Sequence, residues 1–155
     1  MNHIKIQQTL IKAADARDGY KHKSFDAMYF LTDDRVWVCP GSRWVMGIPK
    51  ASFYLDIDKV FKRAPFKEGG LFSEAENAKP VEDGGLIDKV IRGKKIRLHL
   101  FKVDDTTIYV DEDYVKYFDS EAYFKGTTAK APLFVYELGE LVGLILPVYI
   151  GDEDD

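Results

Sequence analysis

Short segments of alternating apolar and polar residues run along this chain, with a few segments of helical spacing between them. His3–Gln7 alternates and predicts a short strand. Thr9 is placed to cap a helix over Leu10–Asp18, since the apolar positions there recur at helical spacing. Aromatic and β-branched residues then predict three strands, which are Ala27–Thr32, Arg35–Cys39 and Arg43–Pro49. The first part of the chain is therefore predicted to run β-α-β-β-β.

The same order of elements returns in the second part of the chain. Ile96–Val103 alternates clearly and turns at Asp104-Asp105 into a strand at Thr106–Val110. Glu112–Asp119 has its apolar residues on one face and predicts a short helix. Three further strands are predicted, which are Ala122–Lys125, Pro132–Glu137 and Leu141–Ile150. From Thr106 onward the predicted order is again β-α-β-β-β, which indicates a pseudo-two-fold repeat.

These elements predict an α+β fold of antiparallel sheets with two short helices. The length of 155 residues suits a single domain over 1–155, with halves at about 1–64 and 96–150. Phe66–Gly85 contains two Gly-Gly pairs, a proline and several acidic residues, so it is predicted to be a long exposed loop.

Three motifs resemble one known family. Val110-Asp111-Glu112-Asp113-Tyr114-Val115 resembles a polar cap residue followed by Tyr-Leu at a helix start, and Ala131-Pro132-Leu133-Phe134-Val135 resembles a strand that opens on Lys-Pro-apolar. The run Gly143–Ile150, with Leu146-Pro147-Val148 inside it, is similar to the closing strand of the bacterial DNA polymerase sliding clamps, also called beta-clamps. The resemblance covers roughly Thr106–Ile150 at the level of motifs.

The resemblance implies a sliding-clamp-like fold and a role linked to DNA replication. A bacterial clamp subunit contains three such domains, whereas this chain supplies one, so a single-domain relative carried by a phage or mobile element is the matching hypothesis. In the family the closing strand lines a groove that captures partner peptides. By resemblance the binding residues are therefore Leu146, Pro147, Val148 and Tyr149, and the alternative interpretation places them in the core.

The overall charge limits nucleic-acid binding to a local patch. The formal net charge is -4, which argues against a surface that grips nucleic acid throughout. One basic run stands out, formed by Lys89, Arg92, Lys94, Lys95 and Arg97. It is interpreted either as a nucleic-acid contact or as a solvated hairpin entrance that protects a strand edge. Any DNA binding is expected to be weak and sensitive to salt.

Nothing in the sequence frames a catalytic site, a metal site or a cofactor site. The histidines, which are His3, His22 and His99, stand apart from any serine or cysteine motif of a nucleophilic enzyme. The acidic pairs fit turns and a helix start, where Asp caps free N–H groups.

Cys39 is the only cysteine and is predicted to be a small core residue, so no internal disulfide forms and a reducing, cytoplasmic compartment is expected. The longest apolar run, Leu141–Ile150, is too short to cross a bilayer, and no membrane contact is expected.

Three functional hypotheses remain open from the sequence. The first is a non-enzymatic, clamp-like binding module that acts through contacts with a protein partner or with itself, in association with DNA replication. The second is a standalone regulatory or inhibitory protein, of the kind phages carry, that binds one host protein. The third is a small enzyme of unrecognised type.

Overall fold

A computed structural model describes residues 1–19, 27–40, 43–56, 62–63 and 72–150. The α-helices in this part are α1 (His3–Gly19) and α2 (Glu112–Val115). The strands are β1 (Ala27–Leu31), β2 (Arg35–Pro40), β3 (Trp44–Pro49), β4 (Lys62–Arg63), β5 (Lys79–Pro80), β6 (Glu82–Ile91), β7 (Lys94–Val103), β8 (Thr106–Asp111), β9 (Tyr123–Gly126), β10 (Leu133–Glu137) and β11 (Glu140–Ile145). Short 3-10 helices cover Lys50–Ser52 and Ser73–Asn77. The predicted α+β class with mostly antiparallel sheets is confirmed.

The chain enters its first helix earlier than the sequence predicts. The Asn2 side chain accepts a hydrogen bond from the Lys5 N–H at 3.0 Å, which caps the start of α1. Ile6 and Leu10, one turn apart, are fully buried, whereas Ile4 is 60% exposed. Burial therefore follows the period of a helix, so the predicted strand at His3–Gln7 and the predicted cap at Thr9 are wrong.

The larger sheet has eight strands in the order β4-β1-β2-β3-β11-β10-β9-β5. Its neighbours are antiparallel except for β1 and β4, which are parallel. Two three-stranded meanders, β1-β2-β3 and β9-β10-β11, meet where Val45 of β3 pairs with Leu144 of β11. Most of these strands lie within one residue of their predicted bounds, because local alternation and turn residues fix them.

The smaller sheet consists of β6, β7 and β8 in that order. The predicted loop 66–85 needs correction here, and residues 66–71 of it lie outside the described part. Of the remainder, residues 79–80 and 82–85 belong to strands, although Glu82–Gly85 is exposed as predicted. The Gly pair that suggested a loop instead forms a bulge, where the register with β7 shifts between Asp83 and Gly85 and Gly85 has φ 89°.

Both helices contribute to one core. Ile6 and Leu10 of α1 belong to the same buried cluster as Tyr117 and Phe118, which follow α2. The Trp44 ring lies 5.7 Å from the Tyr117 ring. The helix predicted over Glu112–Asp119 ends at Val115, and the turns after it place these two aromatic rings in the core.

The predicted β-α-β-β-β repeat is not confirmed. Because α1 replaces the leading strand, the first part of the chain runs α-β-β-β. The second part has the predicted order β8-α2-β9-β10-β11, but β8 belongs to the smaller sheet and the other three strands to the larger one. The division into halves at 1–64 and 96–150 stays a prediction.

The closing segment, residues 146–150, leaves the sheet instead of continuing β11. The strand ends at Ile145, so the predicted strand Leu141–Ile150 is too long. Leu146 N–H donates to the Arg43 carbonyl at 2.9 Å, and Val148 N–H donates to the Tyr109 carbonyl at 2.7 Å. Pro147 has no N–H to give to a ladder. The segment therefore passes from the larger sheet to the outer edge of β8, and β11 itself is an internal strand.

Cys39 is half-buried beside a second apolar cluster that includes Trp37. Burial raises the pKa of its thiol to about 11.

In the part of the chain that the structure describes, no helix is both long enough and apolar enough to span a bilayer.

Candidate nucleic-acid interface

The β6–β7 hairpin extends past the third strand of its sheet. β8 pairs only with residues 98–103 of β7. From the Asp88–Arg97 pair to the Ile91–Lys94 pair, the described residues contain no third strand beside the hairpin. Residues 88–97 therefore form a two-stranded projection, which we call the cationic ribbon.

The tip of the cationic ribbon is a two-residue turn. Arg92 and Gly93 both have positive φ, at 52° and 77°, as a type I′ hairpin turn requires. Glycine or asparagine suits the first of these positions better than arginine, whose side chain crowds the backbone in a left-handed conformation. An arginine here places a charge at the outermost point of the ribbon at some cost in hairpin stability.

Charge is distributed unevenly between the cationic ribbon and the rest of the chain. The chain has 22 basic and 26 acidic residues, of which the ribbon has five and one. The ribbon thus has a formal charge of +4, and the other residues together carry −8, which adds to the total of −4. All five basic residues of the predicted nucleic-acid contact, Lys89, Arg92, Lys94, Lys95 and Arg97, lie on this one projection.

One face of the cationic ribbon is exposed to solvent and includes the ribbon's one acidic residue. The Asp88–Arg97 pair and the Val90–Lys95 pair lie two residues apart along the hairpin. Because side chains alternate between the faces of a strand, all four of these side chains lie on this face. Their exposed fractions run from 41% for Asp88 to 72% for Lys95. Arg97 Nε lies 3.1 Å from Asp88 Oδ1, and this contact lowers the pKa of the Asp88 carboxyl. The other face carries Lys89 and Lys94 among half-buried isoleucines.

A histidine between two carboxylates ties the ribbon's base to α2. His99 Nδ1 lies 2.5 Å from Glu112 Oε2, and its Nε2 lies 2.8 Å from Asp83 Oδ1. The His99 ring stacks on Phe101 with a centroid distance of 4.4 Å. Each ring nitrogen therefore faces one carboxylate oxygen. This cluster joins the bulge in β6, the strand β7 and the start of α2, so it fixes the direction in which the ribbon leaves the body.

We expect acid to destabilise the protein from about pH 4 downward. The Gly85 N–H lowers the pKa of Asp83, the Met1 ammonium lowers that of Asp119, and Arg97 lowers that of Asp88. A depressed pKa in the folded state means stability that is present above the ordinary value of 3.8 and is lost as pH falls through the lowered value. Burial raises the pKa of Asp111, which acts in the opposite direction. The measurement is the urea midpoint between pH 6 and pH 2.5, with Asp83→Asn expected to flatten the curve; an unchanged slope in that variant would contradict the assignment to Asp83.

The residues that the clamp resemblance implies lie elsewhere, along the outer edge of β8. Leu146, Pro147 and Val148 are half-buried, and Tyr149 is 70% exposed. Lys130 Nζ lies 5.7 Å from the centre of the Tyr149 ring. Since β8 separates this edge from β6 and β7, the structure does not bring the closing segment together with the cationic ribbon.

An open groove of about 570 Å³ lies at the other end of the smaller sheet, near the β7–β8 turn. Lys79 and Asp104 line it and form an ion pair of 3.1 Å, with both side chains well exposed. Thr127 also lines it, and its buried hydroxyl has no hydrogen-bond partner among the described residues. The groove carries charges of both signs and offers no concentrated field for an ion.

The described residues hold no group of three or more His, Cys, Asp or Glu side chains placed to share a metal ion. The sequence pattern did not predict Asp83 and Glu112 as partners of His99. A signal was present in part, because Glu112 opens a predicted helix close after the strand that contains His99. Asp83 could not be found, since it stood in a predicted loop.

No protein-family model, no curated protein and no solved structure matches this chain.

Proposed function

We propose that this protein is a non-enzymatic binding module that holds nucleic acid through the phosphate backbone on its cationic ribbon. The observation that carries the proposal is the concentration of five basic residues on one projection of an otherwise acidic protein. Nucleic acids are extended polyanions, and Lys and Arg side chains that neutralise their phosphates release condensed counterions.

The shape of the protein supports the same function. The acidic remainder of the chain repels nucleic acid, so only a projecting element can make contact without placing the body against the phosphates. The Asp88–Arg97 pair uses the arginine's Nε, which leaves its terminal nitrogens to donate to a phosphate. Affinity is limited by the small number of cations and by the charge of the body.

Binding of a protein partner at the closing segment is the alternative that the clamp resemblance implies. Three of its four residues are half-buried, which leaves Tyr149 as the main exposed group. The four residues of that surface carry no charge, in contrast to the +4 of the ribbon. The ribbon is therefore the stronger candidate for the primary contact.

A salt titration tests the proposal. We expect a fluorescein-labelled 20-base-pair DNA duplex to bind at 50 mM salt and to weaken steeply with added salt. Three to five phosphate contacts give a slope of log K against log[salt] of roughly −3 to −4.5. No measurable binding at 50 mM salt, or an affinity independent of salt, would exclude the proposal.

A further inference from the structure

The dimensions of the cationic ribbon match one surface of duplex DNA. Four residue pairs, from Asp88–Arg97 to Ile91–Lys94, project beyond β8. At about 3.3 Å per residue the projection is about 13 Å long, before the turn is added. The major groove of B-form DNA is about 8.5 Å deep, so the tip reaches the floor of the groove before the body meets the phosphates.

The width of the ribbon separates the grooves. Two strands stand about 4.8 Å apart, and a sheet with its side chains is roughly 10 Å thick. The major groove of B-form DNA is about 12 Å wide and admits a two-stranded ribbon, whereas the minor groove is about 6 Å wide and takes strands only when the duplex is kinked and the groove widened. The major groove of an RNA duplex is deep and narrow and excludes such an element.

The open face of the ribbon suits the inside of a groove better than a plain phosphate surface. Val90 is 64% exposed there, directly opposite Lys95. An exposed apolar side chain between cations gains nothing from phosphates, but it can contact the thymine methyl groups that only the major groove displays. Arg92 at the tip has donors for base edges or for the far strand's phosphates.

We infer that the cationic ribbon inserts into the major groove of B-form DNA, with Val90 against base edges and the flanking cations on phosphates. This inference rests on the proposed function and narrows its ligand to one duplex form. Asp88 lowers the affinity for DNA, because its negatively charged carboxylate enters the groove beside the phosphates.

The test is a panel of fluorescein-labelled probes measured by anisotropy at 50 mM salt. It contains a DNA duplex, an RNA duplex of the same sequence, the single DNA strand, poly-glutamate, and the DNA duplex with bulky substituents at C5 of its pyrimidines. We expect the plain DNA duplex to bind at least about 10-fold tighter than each other probe.

Equal affinity for DNA and RNA duplexes, or for the substituted duplex, would overturn groove insertion while leaving nucleic-acid binding intact. Binding of poly-glutamate as tight as that of DNA would overturn both, because the ligand would then be an acidic protein segment. Failure of every probe to bind would overturn the proposed function itself.

Two single variants separate base contact from charge. Val90→Ser is expected to weaken DNA-duplex binding several-fold without changing its salt slope, and to leave RNA-duplex binding unchanged. Asp88→Asn is expected to tighten DNA-duplex binding several-fold. A Val90→Ser variant that binds DNA like the parent protein, or an Asp88→Asn variant that binds it more weakly, would overturn the inference. Circular dichroism verifies that each variant is folded.

Discussion

The triple variant Arg92→Asn, Lys94→Gln, Lys95→Gln is expected to bind the DNA duplex roughly 10²-fold or more weakly than the parent protein at 0.1 M salt. Each lost phosphate contact removes about 0.9 from the salt slope, which near 0.1 M corresponds to roughly a tenfold change in affinity. The slope is therefore expected to fall by up to about 2.7. The measurement is the same anisotropy titration, repeated at four salt concentrations.

The chain offers a control with the same change in net charge. Lys12, Lys50 and Lys116 are exposed and lie outside the cationic ribbon, so replacing all three by Gln alters the total charge equally. This control is expected to retain most of the affinity, because its lysines do not reach the groove. If both triple variants lose affinity alike, overall charge controls binding and the ribbon is not the contact.

At the ribbon's tip, binding is expected to weaken without a loss of stability. Asn suits a positive φ better than Arg, so the Arg92→Asn change is expected to leave the hairpin as stable as before or more so. If the triple variant loses binding while its thermal midpoint is unchanged, the loss is therefore due to missing contacts with DNA and not to unfolding of the cationic ribbon.

The largest expected effect on stability comes from a single buried polar side chain, Gln7. It is fully buried, and its Nε2 donates to the Ser52 carbonyl at 3.0 Å and to the His3 carbonyl. Its Oε1 accepts from the Tyr54 N–H at 2.9 Å. Leucine has a similar volume but no polar atoms, so Gln7→Leu leaves the Ser52 carbonyl and the Tyr54 N–H without this partner. We expect a loss of about 2–4 kcal/mol in the free energy of unfolding.

The adjacent residue provides the control. Gln8 lies on the same helix and is exposed, so Gln8→Leu is expected to change stability by no more than about 0.5 kcal/mol. Urea unfolding followed by tryptophan fluorescence measures both. Equal effects of the two substitutions would mean that Gln7 does not tie α1 to the turn at residues 52–54.

Gln7 also shows where prediction from the sequence stopped. A polar residue in an alternating run looked like the solvent side of a strand, because Ile4 and Ile6 alternate with polar neighbours. The partners that bury it, Ser52 and Tyr54, lie more than forty residues away, so no local pattern announces them. The strands were easier to predict, because alternation and turn residues are local features of the sequence. The predicted strand Thr106–Val110, for example, differs from β8 by one residue.

The candidate interface was half predictable for a similar reason. The five cations were visible as a run, but their projection depends on β8 being short and on β6 being a strand. The strand β6 was not predicted, because Gly84 and Gly85 were interpreted as loop residues. A Cβ at position 84 would lie 3.1 Å from the Leu100 side chain, so the glycine there serves close packing between strands.

The pairing of β3 with β11 has a consequence for the order in which the molecule assembles. This pair lies in the middle of the larger sheet, yet its partners, such as Val45 and Leu144, are roughly 100 residues apart in the chain. Until they meet, each meander exposes a long unpaired edge lined with residues that end up fully enclosed. Contacts of such high sequence separation slow folding to milliseconds or longer, because the loop entropy is lost before the contacts form. We therefore expect neither meander to be stable alone. At high protein concentration or high temperature, the unpaired edges of β3 and β11 are expected to pair with strands of other molecules.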